Sequence, residues 1–303
     1  MLYYDDFSPL LNRQFSNATR YKCSCLYIKI ANISPLFASK RSCVLPFLIF
    51  YSKNFNSSKS EIFKFVIEKL NEFLAKTIKI NGLIYNFKII GCACDNLGAH
   101  ELLGMSNFNA SHFCRYCKLS KTEVQELFLP VDALERTELT NSQDYEVYQS
   151  VKSLNFAHVN GINGVTLLKG ISNFDISPFS FISCTSHDIF EKIVPELINT
   201  TISRMHRDRI LNSDSIYSIL NDFKYNSHDR QNPINFLSPL SSLSASQGRM
   251  FARTFLLVLK GHLPTDSHLF QGFLHLVRII DFVMSPFFIN LGLKNLKKKL
   301  NFC

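Results

Sequence analysis

No apolar run in this chain is long enough to cross a bilayer. The longest, Val44 to Tyr51 and Phe255 to Leu259, fall far short of the roughly 20 residues a spanning helix needs. The amino-terminal MLYYDDF holds two acids and no basic stretch, so it does not read as a secretory signal. An internal repeat is also missing. So is a nucleophile elbow, which sets aside the Ser-His-Asp and Cys-His hydrolases. The nine cysteines are an odd number in a chain too large to need staples. They read as reduced thiols, some of them available to a metal, and not as a disulfide framework. A soluble intracellular protein is expected.

What is present supports a folded core. The chain has 303 residues, 46% of them hydrophobic, enough for one domain plus an appendage. Its net charge of +9 suits a polyanionic partner, although that attraction carries no sequence information.

The patterning begins with a short β-prone run, Leu2 to Tyr4, ending at Asp5 and Asp6. Residues 21–32 alternate as a strand does, and 42–52 read as a buried strand with Pro46 marking a bulge or an edge. Ile62, Val66, Leu70 and Phe73 then fall at helical spacing, with Ser60 able to cap the start. Asn81-Gly82 supplies the positive φ angles of a two-residue hairpin turn, whose second arm runs to Asp95. Strand, strand, strand, helix, strand is the order of a ribonuclease H-like sheet. There the first and fourth strands lie side by side and parallel, so acids at their ends would converge. Residues 118–185 read as an irregular insertion. Residues 186–237 carry further helices, Pro195 marking a kink, and 238–303 a helical hairpin with a basic tail.

Several side chains could carry chemistry. Phosphoryl transfer needs hard oxygen ligands for Mg²⁺ or Mn²⁺, and two or three converging acids suffice. Asp5, Asp6 and Asp95 are those acids, although singly each also suits an ordinary turn, and Asn96 follows Asp95 as in many turns. A third acid should come from a later helix, where His187, Asp188 and Glu191 stand within a turn of one another. Cys114 and Cys117 could be half a zinc site, which Cys92 with Cys94, His112 or His100 could complete, or two incidental buried thiols. The lysines at 294–299 and the cluster Arg204, Arg207 and Arg209 could add affinity for phosphate.

Read together, YYDDF, CDNLGAHELLG followed by SHFCRYC, GINGVTLLKGISNF, SHDIFEKIVP and the block from Ser244 to Pro286 resemble, in that order, the transposases of animal CACTA (En/Spm-type) DNA elements. The resemblance covers nearly the whole chain and is strongest from Asp95 to Cys117. It implies a ribonuclease H-like DDE domain that cuts and joins DNA through two metal ions in the nucleus. Asp5 or Asp6 would be the first acid, Asp95 the second and Glu191 the third, with Asp188 its near neighbour. DNA would be the partner, and the chain could also form a homo-oligomer, a point the sequence leaves open. The family's Asn-Pro-Leu-Gly-like turn is replaced here by FSPLLNRQF, which keeps Asn12 alone. That departure leaves open a catalytically inactive descendant that binds DNA or protein.

Overall fold

The structure is a computed structural model that describes residues 1–7, 22–34, 37, 40–126, 135–154, 156–182, 184–223 and 243–284. The altered turn at Asn12 and the basic tail lie outside them. The chain divides into two compact units, Met1–Cys184 and Thr185–Cys303. Among the described residues no helix is long and apolar enough to cross a membrane.

The first unit is mixed α/β. Its main strands are β1 (Leu2–Phe7), β2 (Cys23–Lys29), β3 (Val44–Tyr51), β6 (Cys92–Cys94) and β7 (Phe181–Ile182), while β4 (Thr77–Ile80) and β5 (Leu83–Asn86) form a separate hairpin. The five strands are ordered β3-β2-β1-β6-β7. β2 runs antiparallel to β1 and β3, whereas β1 and β6, and β6 and β7, are parallel. Pro46 sits on edge strand β3, where the pairing with β2 slips between Leu26 and Tyr27. An edge bulge tolerates a residue with no N–H to donate.

Alternation along β1 decides which acid faces which way. Leu2 and Tyr4 are buried in the core with Phe63, Val66 and Leu70 of α1 (Ser52–Leu74). Asp6 continues their face, whereas Asp5 is on the opposite one and exposed. The parallel register sets Tyr4 opposite Cys94, so β6 stops beside the middle of β1, which runs on through Asp5 and Asp6 to Phe7. Asp95 then leaves the sheet as the cap of α2 (Asn96–Leu102), its Oδ1 accepting the Gly98 N–H at 2.6 Å.

Three boundaries differ from the sequence expectation. The first helix starts at Ser52 and not at Ser60, with non-helical backbone at Ser58 joining two segments. The arm after Asn81-Gly82 does not run unbroken to Asp95. The hairpin ends at Asn86, and β6 in the main sheet is a separate strand. The turn itself has the expected positive φ at both residues, 49° and 82°. The insertion holds α3 (Lys121–Glu126), where KTEVQELF reads as a short helix, and its acidic stretch is more regular than expected, forming α4 (Glu138–Val151). The face that α4 buries is Asn141, Asp144 and Tyr148, so its helical period carries no apolar signal.

The second unit is helical. Ser186–Ile193 is wound as a π-helix and continues into α5 (Val194–Arg207), with Pro195 at the join. Proline lacks the N–H that a regular turn would use, and the widened turn removes the need for it. α6 (Ser213–Asp222) follows, then α7 (Ala245–His262) and α8 (His268–Val283). The Phe255 ring of α7 meets Phe273 of α8 edge-on at 5.2 Å, the expected hairpin. Gly248 is required there, because a Cβ would come within 2.2 Å of the Phe190 carbonyl oxygen.

Candidate functional site

A cavity of about 420 Å³ opens at the end of β1, and Asp6, Glu101, Lys59, His100, Tyr4 and Ser24 are among its lining residues. Asp6 is held from two sides. Ser24 Oγ donates to Oδ1 at 2.5 Å, and Lys22 Nζ lies 2.7 Å from Oδ2. Glu101, one turn into α2, accepts the Tyr4 hydroxyl at 3.1 Å and Lys59 Nζ at 3.0 Å. Burial first, then the Glu101 carboxylate, push the Tyr4 hydroxyl's pKa up, so it stays a donor.

His100 is 6% exposed. Its Nδ1 is 2.7 Å from the Ser106 carbonyl, which can only accept, so Nδ1 carries the proton. Burial lowers the His100 pKa, keeping the ring neutral and its Nε2 an acceptor.

Asp95 is not among the residues that line this cavity. A Cβ on Gly98 would lie 3.0 Å from the Tyr4 ring and 3.1 Å from Asp95 Oδ1, so a larger residue would press on both. Neighbouring Asn96 accepts from Arg115 Nη1 at 2.6 Å. The arginine between the two cysteines therefore ties their loop to the residue beside Asp95.

The cysteine loop is held by a second arginine. Arg136 is fully buried, and its Nε donates to the carbonyls of Cys114 and Cys117 at 2.8 and 2.9 Å. Its Nη2 reaches the Asn160 carbonyl. Burial raises the Cys117 pKa, as does the adjacent Cys114. Cys92 and Cys94, expected as completing ligands, are instead core thiols. Among the described residues no three or more His, Cys, Asp or Glu side chains are grouped to hold a metal ion.

Close to that loop, the His158 ring meets His112 at 6.1 Å and accepts the Gly161 N–H at Nδ1, 3.2 Å away. Burial, then His112 and Arg136, lower its pKa. A histidine with a depressed folded pKa is fully stabilising above its unfolded value near 6.5, and that contribution is lost as pH falls toward the folded value. The melting temperature should therefore drop between pH 7.5 and 5.5, and His158→Gln should remove part of that drop. Equal pH dependence in parent and variant would contradict this.

The third acid belongs to the second unit. Glu191 lies on the π-helical segment and pairs with His187 one turn back at 3.8 Å, with Asp188 in that segment's first turn. Arg204 and Arg207 both pair with exposed Asp208, a single carboxylate that offsets one of the three charges of the cluster with Arg209. Glu101, Lys59 and Ser24 were not predicted from sequence as site residues. Glu101 sits in a helix of seven residues whose only sequence signal was the acid at its start. No protein-family model matches the chain, and no curated protein is significantly similar to it.

Proposed function

We propose that the first unit is a ribonuclease H-like catalytic domain of CACTA-transposase type, hydrolysing and joining DNA phosphodiesters with Mg²⁺ or Mn²⁺ in the nucleus. The observation that carries the reading is the parallel pairing of β1 with β6. It sets Asp6 and Asp95 just beyond the paired Tyr4 and Cys94, Asp6 beside an open polar cavity. The sheet order and the single reversed strand, β2, agree with that fold.

The residue type suits a hard cation: Asp6 offers carboxylate oxygens in a cavity with room for water, and Asp95 follows β6, the strand paired with β1. When bound, such ions polarise the phosphate and activate the attacking oxygen. Asp6, steadied by Ser24, and Asp95, steadied by the Gly98 N–H, hold their carboxylates without a large search of rotamers. Glu191 is proposed as the third acid on the resemblance alone. Asp5 is set aside as first acid because it faces away from the cavity.

A second reading, an inactive descendant binding DNA or protein, draws support from the lysine already seated on Asp6. One assay separates the two. The full chain should nick supercoiled DNA with Mg²⁺ or Mn²⁺, and a chelator should stop it. Nicking that survives the chelator, or none with either metal, overturns the enzymatic reading.

A further inference from the structure

We propose that Cys114 and Cys117 are a redox-active dithiol, closed by exchange with a small disulfide such as oxidised glutathione, and that closing it loosens the start of α2. The inference stands apart from the phosphoryl-transfer reading. Both thiols are partly exposed, whereas Cys23, Cys25, Cys92 and Cys94 are buried. The two side chains are also within hydrogen-bonding reach of each other.

The turn that carries them is built around Arg136. Its Nε donates to the carbonyls of both cysteines, at 2.8 and 2.9 Å, and its backbone N–H donates to the Tyr116 carbonyl at 2.9 Å. Two carbonyls three positions apart share one donor only where the chain folds back on itself, which brings the thiols together. Arg136 also brings charge. It is fully buried, its Nη1 has no hydrogen-bond partner among the described residues, and its charge interacts with both sulfurs. The thiolate is the attacking form in exchange, and a nearby guanidinium favours it. Burial pushes the Cys117 thiol up and Arg136 opposes that shift, so exchange should quicken as pH rises.

The chemistry balances without a metal. One cysteine thiolate attacks a sulfur of oxidised glutathione, forming a mixed disulfide and expelling one glutathione thiolate. The second cysteine thiolate attacks the protein sulfur of that bond and expels the other glutathione. Two electrons pass from the cysteines to glutathione, and the two thiol protons end on the two glutathiones released.

Arg115 and Tyr116 lie inside the ring so formed. Buried Arg115 donates from Nη1 to Asn96 Oδ1 at 2.6 Å and from Nη2 to the Tyr116 hydroxyl at 2.9 Å. Drawing the sulfurs to about 2 Å has to be absorbed by these two residues. Asn96 is the first residue of α2, directly after its cap Asp95. The dithiol form keeps the Arg115–Asn96 bond, and the disulfide form gives it up.

The test uses the full chain in glutathione buffers of rising oxidised fraction, with a chelator present so that no metal masks the thiols. Mass spectrometry of the segment 114–117 reads the bond, and hydrogen exchange of amides 96–103 reads α2. Expected are a reversible loss of two hydrogens from that segment and severalfold faster exchange of α2 in the disulfide form. Cys114→Ser and Cys117→Ser, singly, should each stop at the mixed disulfide with glutathione. The double variant, with Cys43 and Cys184 intact, should show the same α2 exchange in every buffer. If the parent keeps both thiols in fully oxidised glutathione, the redox role is wrong. If the bond forms and α2 exchanges as before, or the double variant responds as the parent does, the link to α2 is wrong. No readout involves DNA, so none of these results bears on the nuclease reading.

Discussion

Asp95→Asn is expected to slow Mg²⁺-dependent DNA nicking by at least about a hundredfold, the scale that misplacing a catalytic group by about 1 Å can cost, while the protein melts almost as before. The substitution separates the helix cap from the metal-binding role proposed for the same residue. As a helix cap, Asp95 accepts the Gly98 N–H at 2.6 Å, and asparagine caps a helix about as well. The lost charge at a helix start is worth only about 0.3–1 kcal/mol. As a metal-binding carboxylate, by contrast, Asp95 has no substitute in an amide, whose oxygen carries no formal charge. Measuring nicking rate and melting temperature on one preparation resolves the two roles. A variant as active as the parent would reduce Asp95 to a cap.

Phe255→Ala should destabilise the second unit by about 3–5 kcal/mol, since the cavity it leaves is added to the lost burial. The ring is fully buried between Phe251 at 5.6 Å and Phe273 at 5.2 Å, with Val258 and Leu259 in the same cluster. These neighbours come from two helices of a tight hairpin, which limits how far they can close the void. Against a typical total of 5–15 kcal/mol, the loss is large. Urea unfolding followed by circular dichroism should show the midpoint fall with little change in slope. A change below about 1 kcal/mol would mean the two helices do not form a shared core.

Where sequence and structure agree, the reason is local chemistry. Asn81-Gly82 takes the positive φ angles of its turn because those two residues bear them most easily. The α7–α8 hairpin follows from two apolar helical runs broken by Leu263-Pro264. β1 was legible as a strand running into acids, and β6 only as the end of a longer arm reaching Asp95, while their parallel pairing matches the one inferred from the strand order.

What was not legible depends on contacts between distant segments. α4 buries Asn141 and Asp144, so a search for apolar periodicity passes over it. The loop after Asp95 was expected to be held by cysteines, yet two arginines, Arg115 and Arg136, hold it through one side-chain amide and several backbone carbonyls. Nothing in a lone arginine reveals which carbonyls it will meet. Glu101 was similarly hidden, because its significance comes from Tyr4 and Lys59, 97 and 42 positions away.

The most direct measurement of the central claim is nicking of supercoiled DNA by the parent and by Asp6→Asn, side by side, in Mg²⁺. Asparagine keeps an oxygen for the Ser24 hydroxyl and removes only the carboxylate charge from the cavity at the end of β1. The account predicts metal-dependent nicking by the parent and none above background by the variant. Equal rates for the two proteins would contradict it.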